Sequence, residues 1–251
     1  MIRYAAGARA GGWPARNPPA VARMTNLSAS MHVKAIVLST VFLVAAVASH
    51  GERVAGAEYA RTTSKAMRTR DVFQSKARRN AFDDEMQQLA MQRLTGIIIN
   101  DLIPHWYGTP WSFNGTTQVP GEGSIACGYF VTTVLRDAGV SLDRVALAQA
   151  ASEKMIKALT PESEIKRYSS LSVDDFERAV LGLGDGLYIV GLDYHTGFIH
   201  VRDSEARFIH SGGNGVISQP FSESPEMTKS AYRVVGRIST PRFVREHWIG
   251  E

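Results

Sequence analysis

The sequence predicts an α+β domain in which helices come first and an antiparallel β-sheet follows. Up to about residue 183, apolar residues recur at spacings of three and four, the period of amphipathic helices. From Gly186 the pattern changes to β-branched and aromatic residues interrupted by turn residues, as in "GLYIVGLDYHTGFIHVRDSEARFIHSGGNGVISQP". Helices followed by strands segregate into an α+β domain, here with N-terminal helices packed on the sheet. A third feature separates the first helix from the second: "HWYGTPWSFNGTTQVPGEG", residues 105–123, a glycine, proline and aromatic loop whose length marks it as functional.

In chain order, residues 1–48 read as an N-terminal extension with a secretory signal. His32 and Lys34 precede an apolar run from Ala35 to Ala48, which ends in the small-x-small pattern Ala46-Val47-Ala48. The run is too short for the roughly 20 residues that a membrane-crossing helix needs, so membrane contact is expected only during export. Residues 49–79 are polar and basic with little apolar periodicity, and are expected to be a linker. The domain is expected over 80–251, with Asn80 capping a helix in which Phe82, Met86, Leu89, Ala90, Leu94, Ile97 and Ile98 form the buried stripe and which stops at Pro104. After the loop, Tyr129, Phe130, Val131, Val134, Leu135 and Ala138 mark a second helix closed by Gly139. Further helices are expected over Leu142–Leu159 and, opened by Ser172, over Val173–Leu183. Two or three strands then follow from Gly186, and "SAYRVVGRIS" adds another.

Charge narrows the function classes. The formal net charge is +4, from 28 basic and 24 acidic residues. Arg3, Arg9, Arg16, Arg23 and Lys34 lie within the first 50 residues, which hold no acid, so 23 basic residues face 24 acidic ones from Gly51 onward. A domain without a basic surplus is not expected to bind nucleic acid.

The chain has a single cysteine, Cys127. In an exported protein it cannot pair within its own chain, so it is either an inert core residue or a free reactive thiol. Its position favours reactivity: a cysteine in the first turn of a helix meets unpaired N–H groups and the positive end of the helix dipole, which predicts a lowered thiol pKa. It becomes a nucleophile if a base reaches it. In a strand from Leu192 to Val201, His195, Gly197 and Ile199 share one face while His200 points the other way. A turn at Arg202–Glu205 pairs Val201 with Ala206 and sets Gly197 opposite His210, which makes His210 a diagonal neighbour of His195 on the same face. Base and orienter are thereby supplied by one hairpin, in the manner of a catalytic triad. The backbone N–H of Cys127 is the expected oxyanion donor, with the Trp111 indole as another. No cofactor is expected, and no metal, since these histidines lack a carboxylate or cysteine set at ligand spacing.

At these residues the chain resembles the NlpC-like cysteine peptidases, cell-wall hydrolases with a circularly permuted papain-like fold. Gly108-Thr109-Pro110-Trp111, Asn114-Gly115 and Cys127 resemble that family's nucleophile segment; His195-Thr196-Gly197 resembles the start of its base strand; Phe208-Ile209-His210-Ser211 resembles its third polar block. The likeness spans roughly residues 90–235. It implies a catalytic set of Cys127, His195 and His210, substrate contacts from Trp111, Asn114, Gly128 and Tyr129, and a peptide or peptidoglycan-fragment substrate. Ala126 departs from the family's aspartate, Gly128-Tyr129 from its Ser-Gly, and the stretch between Cys127 and His195 is longer. The same triad also suits a secreted amidase toxin or an acyltransferase, and the same fold with an inert site would be a binding module. Cleavage after Ala48 gives a mature N-terminus at Ser49; N-terminal sequencing of exported material checks this, and a chain beginning before Lys34 would contradict it.

Overall fold

The computed structural model describes residues 55–79 and 82–250. The expected signal segment and Asn80 lie outside the described residues. Six antiparallel strands form one sheet in the order β1-β6-β2-β3-β4-β5: β1 (Ile165–Ser169), β2 (Gly186–Leu192), β3 (Thr196–Arg202), β4 (Glu205–Gly212), β5 (Gly215–Gln219) and β6 (Tyr232–Arg237). The domain is therefore α+β, as the sequence predicts. Four strands, not two or three, arise from the stretch beginning at Gly186, because Gly213-Asn214 turns the chain once more between β4 and β5. The unforeseen β1, "IKRYS", is a short charged edge strand; such charge discourages edge-to-edge pairing and hides the strand from an alternation search.

Both sheet faces are buried. One face (Leu187, Ile189, Phe198, Ile209, Val234) packs on the long helices, with Phe130 set edge-on to Phe198. The other (Tyr188, Val190, Ile199, Val201, Phe208, Val235) packs on Phe176, Val180 and Phe221. Phe176 and Val180 belong to α7 (Val173–Leu181), whose N-cap Ser172 accepts from the Asp175 N–H as expected. The β3–β4 hairpin keeps the predicted register, Val201 opposite Ala206. Its loop is two residues instead of four: Asp203 (φ 52°) and Ser204 (φ 64°) take the left-handed conformations that a primed turn requires, and Arg202 pairs with Glu205.

The helical half differs from expectation at three places. The helix α2 (Asp84–Gly96) is capped by Asp83, which accepts from the Met86 N–H at 2.9 Å. It does not stop at Pro104: a π-helical turn, Ile97–Leu102, leads into α3 (Ile103–Trp106). In the widened turn Ile103 already bonds back to Ile98, so the proline enters where the ordinary ladder has been interrupted. The single helix expected over Leu142–Leu159 is two, α5 (Arg144–Ala148) and α6 (Ser152–Leu159). Between them the chain opens beside the N-terminus of α4 (Cys127–Asp137), where a Cβ on Gly128 would stand 2.4 Å from the Ala148 carbonyl oxygen.

The largest correction concerns the expected linker. Residues 55–78 form a helix, α1, whose Tyr59, Ala66, Phe73 and Ala77 are buried. Its stripe repeats at sevens and a four and is filled in between by threonine, methionine and arginine, which is why apolar periodicity alone misses it. Polar side chains finish the docking. Arg70 donates to the Trp248 carbonyl (2.6 Å) and Gln74 to the Ile249 carbonyl (2.8 Å), satisfying the last turn of the chain. Tyr59 donates to Asp137 (2.7 Å) and accepts from the Trp106 indole (2.9 Å). Among the described residues no helix is long and apolar enough to cross a membrane. If α1 is part of the folded core, Phe73→Ala should lower stability by about 3 kcal/mol in chemical denaturation; a midpoint equal to that of the parent would mean that α1 contributes little.

Candidate active site

Cys127 opens α4. Its N-cap, Ala126, has extended backbone (φ −78°, ψ 158°) and no side-chain oxygen to offer, so the first N–H groups of the helix remain free for the thiol or a ligand. The preceding loop is held to the β4–β5 hairpin by backbone. Gly108 donates to the Val216 carbonyl and Val216 to the Thr109 carbonyl (2.9 and 3.0 Å), while the Ser211 hydroxyl donates to the Ile125 carbonyl at 2.7 Å. Gly215, at φ 79°, permits this approach; a Cβ there would stand 2.7 Å from the Thr109 oxygen. These ties deliver Cys127 to the end of the sheet.

His195 is not inside a strand. It sits in the turn between β2 and β3, closed by the Leu192 N–H donating to the His195 carbonyl (2.8 Å) and held by Asp193, which accepts from the Ala231 N–H at 2.7 Å. This alters the reason His195 and not His200 lines the thiol's cleft. The sheet face that packs on α4 is the one bearing Phe198, whereas Gly197 and Ile199 lie on the α7 side. His195 shares the cleft of Cys127 because it stands ahead of the strand, at the sheet's end. His200 lines a separate groove with Gln88 and Met91 of α2.

The predicted pair is present. His195 Nε2 and His210 Nδ1 lie 2.8 Å apart in one hydrogen bond. Gly197 between them is required, since a Cβ would come within 2.7 Å of the Phe208 ring and 2.9 Å of His210 Cβ. The His210 ring stacks on Phe208, with centroids 4.2 Å apart and planes 12° apart, and is buried. Its far nitrogen, Nε2, meets the side-chain amide of Gln219 at 3.0 Å. That amide can offer either its oxygen or its N–H. With the amide nitrogen facing His210 Nε2, as placed, His210 accepts at Nε2 and donates from Nδ1 to His195. With the amide turned over so that its oxygen faces inward, His210 donates from Nε2 and accepts at Nδ1, and His195 donates from Nε2 and keeps Nδ1 bare as a base.

Cys127 and His195 line one cleft of about 230 Å³, together with Gly128, Ala148, Ala150, Ala151, Ser152, Met155, Leu192, Asp193, Tyr194 and Thr196. Of the residues expected to touch substrate, Gly128 lines this cleft. Trp111 and Asn114 lie on the exposed loop outside its lining. The Tyr129 hydroxyl accepts from Gln149, and its ring lies under the Arg144 guanidinium, 4.8 Å from the centroid. The small wall residues come from the unforeseen break between α5 and α6.

A carboxylate that the sequence reading did not place completes the surroundings. Glu226, in the first turn of the short helix α8 (Pro225–Lys229), offers a ligand atom within 4.8 Å of those of His195 and His210. It also helps to line a second cleft, of about 390 Å³, on the other side of the β2–β3 turn, with Asp193, Tyr194, His195, Pro225, Lys229 and Ser230. The expectation that the histidines lack a carboxylate is thus corrected. Gln219 was legible, since the glycine-rich turn after β4 makes it a diagonal neighbour of His210; Glu226 follows from no local pattern.

Electrostatics correct one more expectation. Burial pushes the Cys127 thiol up, and the backbone N–H groups of Thr196, Gly128 and Cys127 itself oppose this without cancelling it. Burial pushes His195 down to about 4 against the pull of Glu226; burial and the neighbouring His195 lower His210. At rest the pair is therefore neutral thiol and neutral imidazole. No protein-family model, curated protein or solved structure matches the chain.

Two outcomes follow. The alkylation rate of Cys127 by iodoacetamide should rise with a midpoint above the roughly 8.5 of a free thiol; a midpoint below neutrality would indicate a preformed ion pair. For stability, imidazoles depressed in the folded state but not in the unfolded chain make the unfolded state bind more protons between about pH 6.5 and about 4. Stability should then fall on acidification through that window, by about 3 kcal/mol for one imidazole and more if both act. The denaturant midpoint at pH 7 and at pH 4.5 measures it, and His210→Gln should flatten the dependence.

Proposed function

We propose that the protein is an exported cysteine hydrolase that cleaves amide bonds, with the peptide stems of peptidoglycan as its substrate class. The observation that carries this is that His195 lines the cleft of Cys127 while its Nε2 shares a 2.8 Å hydrogen bond with His210 Nδ1; in the tautomer in which His195 donates, its Nδ1 is left bare to act as a base. Support comes from the likeness of the nucleophile, base and third-residue segments to NlpC-like peptidases of papain-like fold. The signal segment supports a secreted or periplasmic location.

With a neutral resting pair, His195 Nδ1 takes the thiol proton as sulfur attacks the carbonyl carbon, so general-base assistance accompanies attack and no standing thiolate is needed. The negative charge that develops on the carbonyl oxygen is met by the Cys127 backbone N–H at the uncapped start of α4. The imidazolium, held by His210, returns its proton to the leaving amine as the C–N bond breaks and a thioester remains. Water, deprotonated by His195, then attacks the thioester; the acid leaves, and sulfur recovers its proton. The wall of Ala148, Ala150, Ala151 and Met155 suits a small aliphatic side chain beside the scissile carbonyl. The second cleft favours one alternative, an acyltransferase, because it gives an acceptor amine a place on the far side of His195.

Incubation of the protein with muropeptides, followed by mass analysis of the products, tests the reading. His195→Ala should reduce turnover by about 10³-fold or more, His200→Ala should leave it within about twofold, and His210→Asn should fall between, because an amide oxygen can still hold the imidazole. Gln219→Leu should lower turnover without unfolding the protein. An unchanged His195→Ala rate would remove His195 as the base, and no product from the parent chain with either water or an amine as acceptor would leave the inert binding module as the better description.

A further inference from the structure

The grouping of His195, His210 and Glu226 has no part in the hydrolase reading as a threesome, since that chemistry uses only the two imidazoles. We propose that these three side chains form a binding site for a single Zn²⁺ ion, and that the bound ion switches the cysteine chemistry off. Two imidazole nitrogens and one carboxylate oxygen are a donor set that zinc binds with a fourth position left open; hard ions such as Mg²⁺ and Ca²⁺ favour all-oxygen sets.

The three ligand atoms lie within 4.8 Å of one another, and the two nitrogens are only 2.8 Å apart. Tetrahedral zinc, with bonds of about 2.1 Å, asks for ligand atoms about 3.4 Å apart. The two nitrogens, now aimed at each other along their hydrogen bond, must part by about half an ångström and the rings must tilt so that both lone pairs meet at one point, and the carboxylate must come inward by an ångström or so. Glu226 is free to do this, being a three-torsion side chain that is half-buried at the rim of a cleft, with Ser224 donating to Oε2 at 3.0 Å and Oε1 on the side of His210. Room exists because residue 212 is glycine. A Cβ there would stand 2.9 Å from Glu226 Oε1 and 3.0 Å from His210 Nδ1, in the space between the two. An ion would enter from the cleft lined by Glu226, Lys229 and Ser230, where the open position would face water.

Inhibition follows from proton placement and rests on the hydrolase reading. For Nε2 of His195 to ligate, its proton must sit on Nδ1, the nitrogen that must be bare to deprotonate Cys127. For Nδ1 of His210 to ligate, its proton sits on Nε2, which the Gln219 amide accepts once turned to present its oxygen. Each imidazole stays neutral with one proton, but the tautomer of His195 is the inactive one. Zinc and the orienting hydrogen bond are therefore mutually exclusive.

The test uses metal-stripped protein titrated with Zn²⁺ against a chromophoric chelator, and with Co²⁺ as a spectroscopic probe. One equivalent should bind, giving the intense visible absorption of a low-symmetry cobalt centre. Glu226→Gln, nearly isosteric and checked for folding by circular dichroism, should weaken Zn²⁺ binding by about tenfold or more, as should His210→Asn. Cys127→Ala should change neither stoichiometry nor spectrum. Absence of stoichiometric binding, binding unaffected by Glu226→Gln, or a sulfur-to-cobalt band lost in Cys127→Ala would each overturn the site. In the activity arm, one equivalent of Zn²⁺ should suppress amide cleavage and a chelator restore it, with Glu226→Gln resistant. Zinc that binds without inhibiting would overturn the switch and leave the site, and a chain that cleaves no amide would defeat the hydrolase reading while the cobalt readout still decides the site.

Discussion

Everything at the candidate site depends on how the loop before Cys127 is fastened to the β4–β5 hairpin. Two backbone hydrogen bonds between Gly108-Thr109 and Val216, together with the Ser211 hydroxyl on the Ile125 carbonyl, join segments about a hundred residues apart. They bring the open N-terminus of α4 to the end of the sheet where the β2–β3 turn presents His195. Without that fastening, α4 could keep its apolar packing through Phe130 and Phe198 and still hold the thiol away from any base. The glycines at 108, 197 and 215 are consequences of this approach. Each lies where the chain needs a left-handed turn or where a side chain would collide with backbone or ring.

Burial then sets the chemical character of the site. A group enclosed at the junction of two cores loses hydration, and both the thiol and the imidazoles respond by favouring their neutral forms. A lowered thiol pKa is what the helix N-terminus and a nearby imidazole predict, and the helix dipole is worth a few tenths to about 1 kcal/mol at an accessible site. Desolvation acts in the opposite direction and is the larger effect here. A neutral pair linked through His210 to Gln219 is a chain of single protons whose direction is selected at its far end. This gives a residue that touches neither thiol nor cleft control over which nitrogen of His195 is bare. It also makes the pair sensitive to any cation that competes for the same lone pairs.

Local chemistry carried the readings that held. The β3–β4 register follows from a turn at residues 202–205 and from strand alternation, and it puts His195 and His210 together. The helix at Cys127, its closure at left-handed Gly139 and the Ser172 cap are equally local. The readings that failed did so where a distant partner decides. The stretch over 55–78 is too polar to be recognised as a packed helix until the carbonyls of Trp248 and Ile249 are seen to accept from Arg70 and Gln74. Trp111 and Asn114 lie on the exposed loop outside the cleft lining, and the wall of that cleft comes from the break between α5 and α6, which no local pattern in the sequence marks.

By itself the sequence determined the fold class, most of the helices, the hairpin pairing and the two histidines that meet. These depend on side-chain periodicity and on turn residues, interactions that span a few positions and cost little loop entropy. Only the tertiary structure decided that β6, the last strand in the chain, enters between β1 and β2, that α1 belongs to the core, and that the α8 carboxylate of Glu226 stands beside the histidine pair. Those placements are settled by which apolar faces bury one another across long separations, and no short-range pattern records that outcome.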